Sequence, residues 1–150
     1  MFKKVLVNLL ATVVLMGMIT NPVLAAKTAP PPEEDTNDTI GIQSLQYIND
    51  MDTTISDNGD GTVDLFGETT TKTTVDKVTV KLYLQQWNGS TWVDIEASDT
   101  FSAYNYFYVN GSDRASVEPG YYYRTKGVHS ASNDGTTEQK ESFSSYKLIE

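Results

Sequence analysis

The chain contains no cysteine, so no disulfide can staple it and no lipid can be attached through a thiol. It has one histidine, His129, so a zinc site would have to come mostly from carboxylates. Positive charge is scarce: 11 Lys and Arg stand against 20 Asp and Glu, a net charge of −9. A chain of that sign repels nucleic-acid backbones and anionic lipid surfaces, which argues against nucleic-acid binding. No nucleophile elbow, phosphate loop, HExxH helix or dinucleotide fingerprint appears. No cofactor and no metal is expected.

Long apolar runs are also missing, except at the start. Met1-Phe2-Lys3-Lys4 is a short basic opening, and Val5–Ile19 is a nearly unbroken apolar run of 15 residues. A spanning helix needs about 20 such residues, so an uncleaved anchor fits less well than a leader. Pro22 breaks the helix before a small-residue exit. Val23-Leu24-Ala25 places the expected cut between Ala25 and Ala26, and one residue later also fits. Residues 1–26 therefore read as a secretory signal peptide, and the expected location is extracellular, with no membrane attachment after cleavage. The mature chain would carry nine basic and 20 acidic residues, a net charge of −11. Export without cysteines points to a Gram-positive source.

Residues 27–38 hold Pro30-Pro31-Pro32 and then Glu33, Glu34, Asp35 and Asp38. That composition reads as an acidic, proline-containing linker. The folded domain is expected over residues 39–150, enough for one modest core.

This part reads as β. Val78, Val80, Leu82 and Leu84 alternate with Lys77, Thr79, Lys81 and Tyr83, a period of two with one face buried. Thr62–Thr70 and Trp92–Ala97 alternate similarly. In Phe101–Val109, the residues Phe101, Ala103, Phe107 and Val109 should share the buried face, leaving Tyr104, Tyr106 and Tyr108 on the other. Tyr121–Ser130 and Glu141–Ile149 complete the set, and Ile40–Ile48 fits a strand or a short helical turn. Turns are expected at Asn58-Gly59-Asp60-Gly61, Asn88-Gly89, Asn110-Gly111 and Pro119-Gly120. About seven short strands with regular turns predict an all-β sandwich or barrel.

Val117-Glu118-Pro119-Gly120-Tyr121-Tyr122-Tyr123-Arg124 resembles the corner between strands E and F of fibronectin type III and immunoglobulin-like domains. The resemblance favours the sandwich, an immunoglobulin-like or fibronectin-type-III-like one of about seven strands, and implies a structural tyrosine corner formed by Pro119, Gly120 and Tyr123, with the Tyr123 hydroxyl bonded back to the corner backbone. The hairpin Trp87-Asn88-Gly89-Ser90-Thr91-Trp92, followed by Gly120-Tyr121-Tyr122-Tyr123-Arg124 and Gly127-Val128-His129-Ser130, is similar to small uncharacterised secreted proteins of Gram-positive bacteria. That similarity implies location and fold and brings no activity with it.

Ser56–Asp64 has the oxygen density of a calcium loop, but Ser56 is a poor first ligand and Gly67 occupies the twelfth position, so a hairpin turn explains it better. His129 has Ser130, Ser132 and Asp134 nearby, with no motif that arranges them for catalysis. Tyr104, Tyr106 and Tyr108, extended by Trp87 and Trp92, are the candidate binding surface. Such an aromatic strip suits sugar rings or a protein partner. The expected function is a secreted, non-catalytic binding module for cell-wall polysaccharide or another secreted or surface protein. A carboxylate-dependent secreted hydrolase and a small effector or inhibitor are the alternatives.

Overall fold

The computed structural model describes residues 26–32 and 45–150; residues 1–25, where most of the expected signal peptide falls, and residues 33–44, which hold the acidic part of the expected linker, lie outside it. Among the described residues there is no helix, and none is long and apolar enough to cross a membrane. The protein is all-β. Among the described residues six strands form one antiparallel sheet: β1 (Ile48–Asp57), β2 (Thr62–Trp87), β3 (Trp92–Ser116), β4 (Tyr122–Asn133), β5 (Thr136–Phe143) and β6 (Lys147–Leu148).

β2 dominates the architecture. Its 26 residues are rich in Thr and Val and contain no proline, so nothing interrupts the ladder. β3 pairs along one edge of β2 from Thr62 to Trp87. The other edge is shared: β1 bonds to Val63–Thr71 and β4 to Lys77–Gln86. β5 and β6 then pair with β4.

The sheet curls where the β2–β3 register slips, between Thr70 and Val75. Just beyond the slip on β3, Asn105 takes a φ of 48°, which few residues other than Gly adopt and Asn tolerates. The bend turns the first half of β2 onto its second half. Gly67 makes the close approach possible, since a Cβ there would lie 2.6 Å from Leu82 Cδ2. Ile55, Val63 and Leu65 from the first half meet Val78, Val80, Leu82, Leu84 and Tyr123 from the second in one buried cluster. Each such side chain contributes roughly 1.5–3 kcal/mol on burial.

The turn at Asn88-Gly89 closes the long hairpin. Gly89 has a φ of 98°, and the Asn88 side-chain oxygen accepts from the Ser90 and Thr91 amides at 2.9 Å each. Pro119-Gly120 also reverses the chain. Beyond it, the Tyr123 side chain is 1% exposed, and its hydroxyl donates to the Glu118 carbonyl and accepts from the Glu118 amide, both at 3.1 Å.

The strand plan differs from the sequence expectation. One continuous sheet of six strands replaces about seven short ones, because β2 and β3 each run through both halves. Asn110-Gly111 is no turn; it sits inside β3 opposite Glu68 and Gly67, and Gly111 leaves room for the Phe101 ring. After Pro119-Gly120 the chain reverses again at Asp134-Gly135, where both residues have positive φ, 50° and 77°. Glu141–Ile149 is divided between β5 and β6, and the Ser144 hydroxyl in the break accepts from the Thr125 amide at 2.9 Å. Phe107 is 45% exposed rather than buried, since the bend at Asn105 ends the simple alternation. Only the end of Ile40–Ile48 is described, and β1 begins at Ile48.

Of the segment read as a linker, the described part lies against the sheet. The Lys27 amide donates to the Gly120 carbonyl at 2.6 Å, and the Trp87 indole N–H donates to the Ala29 carbonyl at 3.1 Å.

Candidate functional site

Period two places one set of β2 side chains in the core and the alternate set, Lys77, Thr79, Lys81 and Tyr83, on the outer face. Neighbouring strands bring Lys126, Val128, Ser130 and Ser132 from β4 and Gln139 and Glu141 from β5 to the same face, while Asp94 and Thr100 come from β3. Together they line a shallow groove of about 510 Å³. Tyr104 stands beside Lys77 at one end, and Trp92 beside Arg124 at the other.

Cations in this groove rest on aromatic rings. Lys126 Nζ lies 4.4 Å from the Tyr83 ring centre, and Lys81 Nζ lies 5.4 Å from it. Lys77 Nζ lies 5.4 Å from the Tyr104 ring. Such placement stabilises a half-buried ammonium through the ring quadrupole. The Arg124 guanidinium is held between Trp92 and Phe143, at 4.4 and 4.3 Å, and donates to Gln85 Oε1 at 2.7 Å. Burial lowers its pKa to about 10, so it stays charged at neutral pH. Lys126 also pairs with Asp94 at 2.6 Å. Burial alone would raise the Asp94 pKa, but hydrogen bonds from Lys126 and Gln85 outweigh it and lower the pKa.

The residues expected as a binding strip are separated. Tyr104 is 66% exposed and belongs to the groove face. Tyr106 sits at the bend, its ring tilted against that of Phe107 with centres 4.7 Å apart. Tyr108 lies past the bend, half-buried, with its hydroxyl donating to Glu68 Oε2 at 2.7 Å. Trp92 is half-buried against Trp87 and Tyr146, at 5.4 and 6.2 Å. Trp87 is buried beneath Ala29 and Trp92. The sequence reading did not single out the groove lysines. Lys77, Lys81 and Tyr83 carried a readable signal, two-residue spacing on the wet side of a strand, but Lys126 joins them only through the β2–β4 register.

His129 belongs to the interior. It is fully buried between the two halves of the sheet, where Gly127 leaves space for its ring. Thr69 Oγ1 lies 2.7 Å from His129 Nδ1 and donates to the Thr79 carbonyl at 3.1 Å, so it accepts from Nδ1–H. His129 Nε2 then accepts from the Ser142 hydroxyl at 2.7 Å. Burial lowers the imidazole pKa to about 4. The order resembles a nucleophile, a base and an orienting group. The base is sealed off, however, and its hydrogen bonds are those that satisfy a buried polar ring.

The oxygen-rich Ser56–Asp64 stretch is a hairpin turn. Asp57 accepts from the Gly59 amide at 2.9 Å, and Asp60 accepts from the Thr62 amide at 3.1 Å. Among the described residues no three His, Asp or Glu side chains gather as metal ligands.

No family model matches this chain, and neither does any curated protein or solved structure.

Proposed function

We propose that the protein is a secreted, non-catalytic binding module whose ligand is a cell-wall polysaccharide. The leader composition supports export from a Gram-positive cell, and the Tyr123 corner supports an immunoglobulin-like arrangement of the curled sheet. The observation that carries the binding reading is the groove. Tyr83 and Tyr104 offer ring faces beside a row of hydroxyls from Thr79, Thr100, Ser130 and Ser132. Aromatic faces stack on the apolar faces of sugar rings, and hydroxyl and amide groups orient them. A shallow, open shape suits a chain that passes across it.

Calorimetry of the chain from Ala26 onward against solubilised cell-wall polysaccharide is the test. Tyr83→Ala and Tyr104→Ala should each weaken binding about tenfold or more, as truncation of aromatic anchors that a ligand covers does. Binding that neither substitution changes would overturn this assignment of the surface.

A further inference from the structure

We infer that the ligand of this groove is an acidic glycopolymer, with carboxylates or phosphodiesters along a sugar or polyol chain. The inference rests on the binding-module reading and adds the charge of the ligand. It comes from how the cations are distributed. The chain has a net charge of −9, yet three of its lysines, Lys77, Lys81 and Lys126, converge on one groove. These are the three half-buried lysines among the described residues; Lys27, Lys72, Lys140 and Lys147 are exposed.

Among the described residues only two carboxylates line the groove, Asp94 and Glu141. Asp94 is engaged by Lys126 at 2.6 Å. Neither Lys77 nor Lys81 forms an ion pair among the described residues. Both side chains are half-buried, and their ammonium groups lie 5.4 Å from the Tyr104 and Tyr83 ring centres. A cation held in that way is partly desolvated and attracts an anion more strongly than a free surface lysine does. Elsewhere on so acidic a protein an anionic polymer would be repelled, which confines it to this face. Ring surface of Tyr83 and Tyr104 that the ammonium groups leave uncovered would stack on the sugar units between charges.

The test uses three probes against the chain from Ala26 onward: polygalacturonic acid, the same polymer fully methyl-esterified, and polyglycerol phosphate. At least one charged probe should bind about tenfold more tightly than the uncharged ester, and its affinity should fall as salt rises. The double variant Lys77→Gln/Lys81→Gln should lose about tenfold on the charged probe and nothing on the ester. A preference for the uronate or the phosphate polymer identifies which acid is read. Equal binding of charged and esterified polymer, unchanged in the double variant, overturns the acidic ligand and leaves the binding module standing. If no probe binds a protein whose circular dichroism shows an intact sheet, the acidic-ligand inference fails; cell-wall binding that Tyr83→Ala abolishes would still uphold the module.

Discussion

The inside and the outside of the curled sheet are built from the same strands, one residue apart, and they hold polar groups in opposite ways. Inside, polar side chains close on one another: His129 is bonded at both ring nitrogens, and Thr125 donates to the Thr54 carbonyl at 3.0 Å. Outside, Lys77 and Lys81 lie half-buried over aromatic rings with no ion pair among the described residues. The interior spends its hydrogen-bonding capacity on the fold, while the outer face keeps its charge available. Trp87 qualifies this contrast. It has outward parity on β2 yet is 7% exposed, because residues 26–32 and Trp92 cover it.

The strongest challenge to the contrast is a cavity inside. Leu82 is fully buried where the two halves of β2 meet. Leu82→Ala should lose about 2–5 kcal/mol, read from the shift of the urea midpoint at constant slope. A loss under about 1 kcal/mol would mean that the two halves do not pack as described.

Acid provides the next test. His129 titrates near 4 in the folded protein against 6.5 in an exposed chain, so the fold favours the neutral ring. The stability this provides is fully present above pH 6.5 and is lost as pH falls from 6.5 towards 4. The total loss is about 3 kcal/mol, because each tenfold weakening of proton affinity on folding corresponds to about 1.4 kcal/mol. Urea titrations across that window, with the imidazole proton resonances followed by NMR, report it directly. An imidazole that titrates at its ordinary value would place His129 in contact with water.

The smallest effect belongs outside. Tyr104→Ser should change stability by no more than about 0.5 kcal/mol while weakening ligand binding. A large stability loss, seen as a lowered melting temperature, would make Tyr104 part of the fold rather than of the site.

These strands explain how much is legible in the sequence. Alternation in Lys77–Trp87 identifies the buried set Val78, Val80, Leu82 and Leu84, because period two is local. Phe107 escapes that logic because the slip between Thr70 and Val75 and the left-handed Asn105 arise from β2–β3 pairing. Asn110-Gly111 looks like a turn by composition, yet the glycine serves a close ring contact with Phe101. Asp134-Gly135 has the composition of a tight turn as well, and there the chain does reverse. The groove depends on register: Lys126 meets Tyr83 because those residues are ladder partners, and no spacing within one strand reveals that.

The long hairpin also implies an order of assembly. Trp87 and Trp92 face each other across the Asn88-Gly89 turn, and every further rung towards Thr62 and Ser116 joins residues more widely separated in the chain. Closure from the turn outward adds each rung at a small loop-closure entropy, so the second half of the sheet can zip up before the bend forms. β4 follows across a modest loop. The early pairing of Gln85–Trp87 with Trp92–Asp94 thereby sets up the floor on which Arg124 and Lys126 later settle. The groove face would then take shape before β1 closes over the opposite side.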